Sequence, residues 1–315
     1  MGPSVADDRR DGVCTGRQQG GDGSRVHDPD RGPDRSRRQP PADIESVAVA
    51  TGDPQRIWAD PRIDAVYIAT PNATHEAWID LAVRHGRHVL VEKPAVLSSE
   101  RFTELWRHAD ADGLVLLEAI RTVPDPGFGL VRRALDGLGT LRRASFVLCR
   151  RSSRYDRVLA GERPGVFDPA GGGALRDIGV YPLTAMVELF GRPRSVQALS
   201  STIATGADGA GSLLLDYGTL IGEVAYSKVD DSPRGSEIQG DDATLLIDAV
   251  DQPRRLTVRR HGGSERTTVV DLPPFDLRPV VGRFVDLVRG RADPHVDRDR
   301  TAAVLAIIEH ALCDR

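Results

Sequence analysis

Three short apolar runs alternate with two amphipathic segments between residues 63 and 119, and this alternation limits the folds that the chain can adopt. The runs are IDAVYIAT, HVLVE and LVLLEA, which are rich in aliphatic and β-branched residues and are bounded by polar or proline-containing turns. Such runs are typical of parallel strands buried on both faces. The sequence therefore predicts right-handed β-α-β crossovers and a Rossmann-type parallel sheet, which is an α/β fold.

The two amphipathic segments carry residues that start and stop helices. In the first segment, Asn72 or Thr74 can cap the N-terminus, and Gly86 stands where the helix is expected to end. In the second, Ser98 or Ser99 precedes a stripe of apolar residues at helical spacing. Each helix is therefore expected to connect two neighbouring strands of the sheet.

The pattern of the sequence changes after residue 121. A helix around GFGLVRRALDGL, the strand RASFVLCR and the helix GVYPLTAMVELFG are followed by several short strands that Gly, Asp and Pro turns separate. This order predicts an α+β domain with an open, mainly antiparallel sheet, followed by two closing amphipathic helices. We therefore expect a parallel-sheet domain over residues 44–121 and an α+β domain over residues 122–315.

Residues 1–43 lack the side chains that build a core. The first 42 residues contain no Leu, Ile, Phe, Trp or Tyr and are dominated by Arg, Asp, Gly, Pro and Ser. Such a segment buries too little apolar surface to offset the loss of conformational entropy on ordering. Two interpretations stay open: a natural disordered segment, or a non-native segment that arises when GC-rich DNA is translated in the wrong frame.

The overall composition limits the partners of the protein. The 42 Lys and Arg residues against 46 Asp and Glu give a net charge of -4, which argues against a nucleic-acid partner. Three scattered cysteines argue against a disulfide framework, and no apolar stretch reaches the length of a membrane span. No His, Cys and carboxylate residues cluster at metal-ligand spacing, so no metal is predicted. We expect a cytoplasmic protein that acts on a small molecule.

Polar residues follow two strands at the edge where an open parallel sheet binds its ligand. ATPNATH, residues 69–75, follows the first strand, and EKPA, residues 92–95, follows the second. Pro94 restricts Lys93 to extended geometry and makes a cis peptide bond available, and either effect would aim the lysine ammonium in one direction. The alternative interpretation is an ordinary surface lysine in a turn.

A second polar cluster lies in GGGALRDIGVYP, residues 171–182. Its three glycines let the backbone pass close to another part of the molecule. Asp177 stands near the expected start of a helix, and Tyr181 follows four residues later on the same face. The alternative interpretations are an N-cap for Asp177 and a core aromatic for Tyr181.

In order and spacing, the segments DAVYIATPNATH, GRHVLVEKPAVLSSE, EAIR and GGGALRDIGVYP resemble the glucose-fructose oxidoreductase and inositol dehydrogenase family (Gfo/Idh/MocA), particularly its dihydrodiol or sugar dehydrogenase branch. The resemblance extends from residue 44 to the C-terminus. It implies an N-terminal domain that binds NAD or NADP, and a C-terminal domain that supplies a substrate site and an interface for a homodimer or homotetramer. The implied reaction is hydride transfer between nicotinamide and a secondary alcohol or ketone of a sugar, polyol or dihydrodiol.

The resemblance also implies roles for single residues. Lys93 would contact the substrate hydroxyl and assist proton transfer, with a Lys-Pro bond that is frequently cis in the family. Asp177 would orient the substrate or the lysine. Tyr181, where members carry His or Tyr, would be the acid or base, with its pKa lowered by Lys93. The implied cofactor contacts at the strand ends are Thr70, Pro71, Asn72, His75, Glu92 and Lys93, although His75 is as well explained as an ordinary helix-start histidine.

One feature of the family is missing from the sequence. The family opens with a strand and a G-x-G-x-x-G/A loop that binds pyrophosphate, but GGDGSR at residues 20–25 has no apolar strand before it and no amphipathic helix after it. VAVATGD, residues 47–53, can be a remnant of the second strand, in which case Asp53 favours NAD. The alternatives to a dehydrogenase are a catalytically impaired relative that binds ligands or regulates, or a normal dehydrogenase with a mistranslated N-terminus.

Overall fold

The computed structural model describes residues 51–273 and 275–313, and the chain from Gln55 onward forms a compact unit built on two sheets. Several predictions about the N-terminus lie outside the described residues: the disorder of residues 1–43, the GGDGSR segment and the first part of the strand remnant at residues 47–53. The end of that remnant, residues 51–53, forms no strand. None of the helices in the described ranges is both long and apolar enough to cross a membrane.

The smaller sheet has three parallel strands in the order β1-β2-β3, which confirms the predicted Rossmann-type unit. Helices connect successive strands, as the alternating sequence pattern predicts. The elements of this part are α1 (Gln55–Trp58), β1 (Ala65–Ile68), α2 (His75–Arg84), β2 (His88–Val91), α3 (Ser99–Ala111) and β3 (Leu116–Glu118).

The helix ends agree with the sequence in part. Ser98 accepts a hydrogen bond from the Arg101 backbone N–H and caps α3, and Gly86 ends α2 with a φ of 68°. The predicted side-chain cap of α2 is wrong, because Asn72 and Thr74 belong to a short 3-10 turn that leads into the helix. The Thr74 hydroxyl donates instead to the Pro71 carbonyl oxygen at 2.8 Å, within this turn.

The larger sheet has eight strands in the order β11-β10-β9-β8-β4-β7-β6-β5, and β4 and β7 form its single parallel pair. The prediction of an open, mainly antiparallel sheet is therefore confirmed. The elements of this part are α4 (Pro126–Ala134), β4 (Leu141–Cys149), α5 (Tyr155–Leu159), α6 (Val180–Phe190), β5 (Ser195–Thr202), β6 (Asp208–Asp216), β7 (Ile221–Ser227), β8 (Ser236–Gly240), β9 (Ala243–Ile247), β10 (Arg255–Arg260), β11 (Glu265–Val269), α7 (Arg278–Val288) and α8 (His295–Cys313).

The two closing helices contribute to the packing of both sheets. Phe284 of α7 joins a cluster with Leu90 and Leu117 of the parallel strands. On α8, Leu305 packs in the core around α2 and α3, whereas Val304 packs in the core under the large sheet. The predicted division into residues 44–121 and 122–315 stays a prediction, and α8 belongs to the cores of both parts.

One face of the large sheet is covered and the other is open. Along β5 the half-buried side chains of Val196 and Ala198 point to the core that contains α6 and α8. The intervening Leu199 points to the opposite face and is 81% exposed. Leu214 and Ile221, on the two following strands, are also exposed large apolar residues. Among the residues that the structure describes, this face of the sheet is therefore left without a covering helix or strand.

Candidate active site

The Lys93 side chain leaves the carboxyl end of β2 and points to the second polar cluster. The Lys93-Pro94 peptide bond is cis, the geometry that the resemblance implied. The Lys93 side chain is 13% exposed, and its ammonium donates to the Asp177 Oδ1 and to the Asp177 carbonyl oxygen, each at 2.7 Å. Two motifs that are 84 residues apart in the sequence therefore meet at one ion pair.

Asp177 lies in a π-helical turn, Leu175–Gly179, that runs directly into α6. Single π turns at helices are frequent at functional sites. The Asp177 carboxylate caps no helix, since it binds Lys93 through Oδ1 and a second lysine, Lys228, through Oδ2. Lys228 was not found by sequence reasoning, because it stands in the unremarkable strand end YSK.

The two lysines set the ionisation of Asp177. Burial alone would raise the pKa of its carboxyl, but the charges and hydrogen bonds of Lys93 and Lys228 outweigh burial and lower the pKa to about 2. Asp177 is therefore fully ionised at neutral pH. The Lys93 ammonium loses solvation by burial, but Tyr181 and Asp177 more than compensate and the pKa of Lys93 is raised. Lys93 consequently acts as a cation and a hydrogen-bond donor, not as a base.

This ion pair predicts a pH dependence of stability. A carboxyl whose pKa is lowered on folding stabilises the protein above its unfolded pKa, and this contribution is lost as the pH falls through the folded pKa. The shift from 3.8 to about 2 corresponds to about 2 kcal/mol. We expect the free energy of unfolding, measured with urea at graded pH, to fall between about pH 4 and pH 2 by more in the wild type than in Asp177→Asn. Equal pH slopes would contradict this prediction.

Tyr181 lies one turn after Asp177 on α6, as its spacing predicted, and is 8% exposed. Its ring is flanked by two cations: Lys93 Nζ is 5.3 Å from the ring centroid and the Arg121 guanidinium carbon is 4.5 Å away. Burial raises the pKa of Tyr181, and the lowering by Lys93 and Arg121 is smaller. The predicted effect of Lys93 thus has the right sign but does not determine the net shift. Tyr181 is a neutral phenol at neutral pH and is suited to donate a proton.

Arg121, the last residue of the EAIR segment, is held in place by contacts with residues that follow strand β9. Its guanidinium donates to the buried Asp251 carboxylate at 2.8 Å, and Arg150 binds the same carboxylate through two hydrogen bonds of 2.9 and 3.0 Å. The Arg121 guanidinium carbon also lies 5.1 Å from the centroid of the Phe275 ring. The Arg121 guanidinium is therefore a fixed positive charge beside the Tyr181 ring.

The glycine run brings the second cluster against the loop that follows β1. The Asn72 side-chain amide donates to the Gly171 carbonyl oxygen at 2.9 Å, and a Cβ atom on Gly171 would lie 3.3 Å from Ala73. Gly173 has a φ of +99°, and a Cβ atom there would lie 2.1 Å from Asp208 Oδ1. The predicted close approach of the backbone is confirmed, and it joins the ATPN and GGGALRD segments.

The other predicted cofactor residues make contacts within the protein. The fully buried His75 ring lies between the Pro94 carbonyl oxygen, 2.9 Å from Nδ1, and the Thr70 carbonyl oxygen, 2.8 Å from Nε2. It therefore links the loops after β1 and β2. Glu92 accepts a hydrogen bond from the Tyr67 hydroxyl. The contacts of Thr70, Pro71, Asn72, His75, Glu92 and Lys93 with a cofactor stay predictions.

Glu118 binds the backbone of the loop that carries Lys93. This buried carboxylate at the end of β3 accepts a hydrogen bond from the Ala95 backbone N–H at 2.8 Å and one from the Thr301 hydroxyl of α8 at 3.3 Å. Burial raises the pKa of Glu118. Because Ala95 is two residues from Lys93, these hydrogen bonds fix the turn that carries the lysine.

The groups at this site fit the reacting end of a nicotinamide cofactor better than its phosphates. An ammonium and a neutral phenol lie side by side at the carboxyl end of a parallel strand, where an alcohol or carbonyl oxygen needs a proton and a positive field. No G-x-G-x-x-G sequence occurs in the chain, so no residue is assigned to the pyrophosphate. Within the described ranges, no group of three or more His, Cys, Asp or Glu is arranged to hold a metal.

A parallel Rossmann-type sheet with Lys93 at a strand end, facing Asp177 and Tyr181 beside a large, mainly antiparallel sheet, is typical of nicotinamide-dependent oxidoreductases. Comparison with family models agrees. Residues 30–119 match the model described as "Oxidoreductase family, NAD-binding Rossmann fold" of GFO/IDH/MocA, and residues 135–246 match the GFO/IDH/MocA C-terminal domain. The chain belongs to the Gfo/Idh/MocA oxidoreductase family, and the predicted membership is confirmed.

Two relatives and one solved structure illustrate the similarity. A scyllo-inositol 2-dehydrogenase (NADP(+)) of Bacillus subtilis is 38% identical over 245 residues, which are 78% of this chain and 75% of the relative. A trans-1,2-dihydrobenzene-1,2-diol dehydrogenase of Sus scrofa is 29% identical over 188 residues, 58% of this chain and 54% of the relative. The structure of a 3-ketoreductase from Actinomadura kijaniata with NADP has a TM-score of 0.66 at 22% identity, covering 82% of this chain and 80% of that one, and shows the shared fold.

Proposed function

We propose that this protein transfers a hydride between a nicotinamide cofactor and a secondary alcohol or ketone of a small polyol, sugar or dihydrodiol. The observation that carries the proposal is the contact of Lys93 with Asp177 and Tyr181 at the carboxyl end of β2. The inositol dehydrogenase relative favours a polyol substrate and NADP, whereas Asp53 would favour NAD if residues 47–53 were the remnant of the second strand. The cytoplasm, which the three scattered cysteines favour, is the proposed location.

The proposed mechanism assigns one task to each side chain. A bound nicotinamide supplies the hydride in reduction or accepts it in oxidation. In reduction, Tyr181 donates its hydroxyl proton to the substrate oxygen, and the Lys93 ammonium stabilises the negative charge that develops there. In oxidation, ionised Tyr181 takes the proton from the substrate hydroxyl. Asp177 holds Lys93 at the position where both steps need it.

Steady-state kinetics and cofactor binding test this function directly. Initial rates are measured with NAD⁺ and NADP⁺ against scyllo-inositol, other inositols, D-xylose and a trans-dihydrodiol, while the absorbance of reduced nicotinamide is followed. Binding of NADH and NADPH is measured separately by nicotinamide fluorescence. We expect saturable turnover of a polyol with one of the two cofactors.

A second candidate function rests on the missing glycine-rich loop. Without hydrogen bonds from such a loop to the pyrophosphate, cofactor affinity would fall by several kcal/mol, on the order of the bonds lost. A chain with that defect can still bind a polyol at Lys93 and act as a ligand-binding or regulatory protein. Absence of cofactor fluorescence changes at millimolar NADH and NADPH, together with measurable polyol binding, would favour this candidate. Saturable turnover would exclude it.

We also propose that the open face of the large sheet forms a homodimer or homotetramer interface. Its exposed apolar residues, including Leu199, Leu214 and Ile221, are the kind of surface that a partner normally covers. Analytical ultracentrifugation is expected to give a mass of at least two chains for the wild type, and Leu199→Glu is expected to shift it towards the monomer. The matched variant Leu159→Glu changes an exposed leucine on α5 and should leave the mass unchanged. A monomeric wild type would contradict this proposal.

A further inference from the structure

Both lysines of the chain bind the same carboxylate. The 42 basic residues comprise 40 arginines and two lysines, Lys93 and Lys228. The other 40 of the 42 Lys and Arg positions in the sequence are arginines. The ammonium groups of the two lysines take the two oxygens of Asp177. A chain that uses arginine everywhere else therefore uses lysine only at this carboxylate.

Lys228 is as firmly placed as Lys93. It follows the last residue of β7, its backbone N–H donates to the Gly209 carbonyl oxygen at 2.9 Å, and its own carbonyl oxygen accepts from the Ser152 N–H at 2.9 Å. Its side chain is 13% exposed. The ammonium therefore reaches Asp177 from a sheet strand whose backbone is held on both sides, and it fixes one end of the carboxylate.

The difference between an ammonium and a guanidinium explains the choice of lysine. A guanidinium presents two parallel N–H groups and tends to bind both oxygens of a carboxylate. Arginine at position 228 would compete with Lys93 for Oδ1. An ammonium is a compact point donor that occupies one oxygen and leaves the other free. Two lysines can therefore take one oxygen of Asp177 each, whereas an arginine at position 228 would tend to bind both oxygens, as Arg150 does at Asp251.

We propose that Lys228 is a positioning residue: it holds Asp177 Oδ2 so that Oδ1 and the Asp177 carbonyl oxygen hold the Lys93 ammonium in its reactive position. The two ammoniums and one carboxylate carry a net charge of +1, whereas Lys93 and Asp177 alone are neutral. Lys228 thus also preserves the positive field that Asp177 would otherwise cancel. The significance for catalysis rests on the proposed function of Lys93, but the arrangement of the three groups can be tested without it.

The charged groups around Asp177 come from several elements. Lys93 follows β2, Lys228 follows β7, and Tyr181 lies on α6. Glu92 and Arg121 stand beside Lys93 and Tyr181. Among these, the two lysines are the groups that bind the Asp177 carboxylate, so removal of Lys228 leaves a single cation to offset the burial of Asp177. The carboxyl is then expected to take up a proton at a higher pH.

The presence of just two lysines allows a direct measurement. In protein labelled with ¹⁵N at lysine Nζ, we expect two ammonium resonances, and Asp177→Asn should shift both because they share one carboxylate. In Lys228→Met, the position of the remaining Lys93 resonance should change on acid titration as Asp177 takes up a proton. The pH of this change should be about one unit or more above that of any such change in the wild type. In Lys228→Arg, the Lys93 resonance should move to a new position because the guanidinium takes Oδ1.

Two results would overturn the proposal. One is an Lys93 resonance whose position and acid titration are the same in Lys228→Met as in the wild type. The other is an Asp177→Asn variant in which only one resonance moves. Circular dichroism and the thermal midpoint of each variant establish that the fold is retained, and Arg133→Met, which removes an exposed cation on α4, is the control.

Kinetics give a second, separable test. We expect Lys228→Met to lower kcat by about 10²-fold with a smaller change in KM, because a displaced Lys93 loses its alignment with the substrate oxygen. Lys228→Cys treated with 2-bromoethylamine, which rebuilds an ammonium of similar length, should recover most of the rate, with treated wild type as the control. If the wild type shows no turnover, the proposed function is wrong. The resonance experiment still tests whether Lys228 positions Asp177 and Lys93.

Discussion

Replacing Tyr181 by phenylalanine is expected to lower kcat/KM by about 10²- to 10⁴-fold, because the variant loses the proton donor and acceptor of the proposed reaction. The ring, and with it the packing between Lys93 and Arg121, is retained. Since burial raises the pKa of Tyr181, the wild-type rate of alcohol oxidation should still be rising on the alkaline side of neutrality. The pH profile of Tyr181→Phe should lack this rise of the rate at alkaline pH.

Tyr217→Phe is the matched control for that experiment. Tyr217 is another tyrosine whose hydroxyl is buried, without a hydrogen-bond partner among the described residues, and its ring packs against Phe190. It lies outside the Lys93 cluster, so its variant should keep the wild-type rate and pH profile. Steady-state kinetics over the pH range distinguish the two variants. A Tyr181→Phe enzyme with wild-type kcat/KM would remove Tyr181 from the mechanism.

Replacing Lys93 by methionine is expected to lower kcat by about 10²- to 10³-fold, the usual effect of removing one group that stabilises a developing oxyanion. Methionine keeps the length and much of the apolar stem of lysine, so the main loss is the ammonium. Asp177 keeps Lys228 as a partner and stays ionised, which limits damage to the fold. Stopped-flow measurement of the hydride step would separate this loss from a change in product release.

The affinity for the cofactor distinguishes between the two roles predicted for Lys93, which are contact with the substrate oxygen and contact with the cofactor. Fluorescence titration of Lys93→Met with reduced nicotinamide is expected to give a Kd within about tenfold of the wild type, since the main task of the lysine is at the substrate oxygen. A large rise in Kd with an unchanged kcat would assign Lys93 to cofactor binding instead. Full turnover in the variant would refute the proposed mechanism altogether.

The sequence predicted the elements that periodic patterns define. β1, β2 and β3 were visible as apolar runs between turn residues, and α2 and α3 as amphipathic segments of ordinary length. Most strands of the large sheet were visible as well. The strand β10, Arg255–Arg260, was not predicted because half of RLTVRR is arginine and the segment is typical of a surface loop. Its neighbours β9 and β11 provide the hydrogen bonds that the local sequence does not indicate.

The site was predicted in part. Lys93, Asp177 and Tyr181 could be picked out because each stands in a short motif with a physical reason for its residue type. Lys228 and the Asp251 carboxylate under Arg121 could not, since each reaches the site by a tertiary contact, over 51 and 130 residues of sequence respectively. No local pattern records which strand end will face which loop. The pKa of Tyr181 likewise depends on burial, which the sequence does not give.

The position of α8 gives the order in which this chain can complete its fold during synthesis. Its side chains complete the core around the parallel strands. Glu309 of α8 accepts a hydrogen bond from Ser99, 210 residues earlier in the sequence, and Thr301 of α8 donates one to Glu118, 183 residues earlier. The parallel strands leave the ribosome before the large sheet, and α8, the helix that completes their core, emerges only after both. The part that carries Lys93 therefore stays incomplete until α8 has been synthesised, and a nascent chain should acquire a protease-resistant nucleotide-binding part only once α8 has left the ribosome.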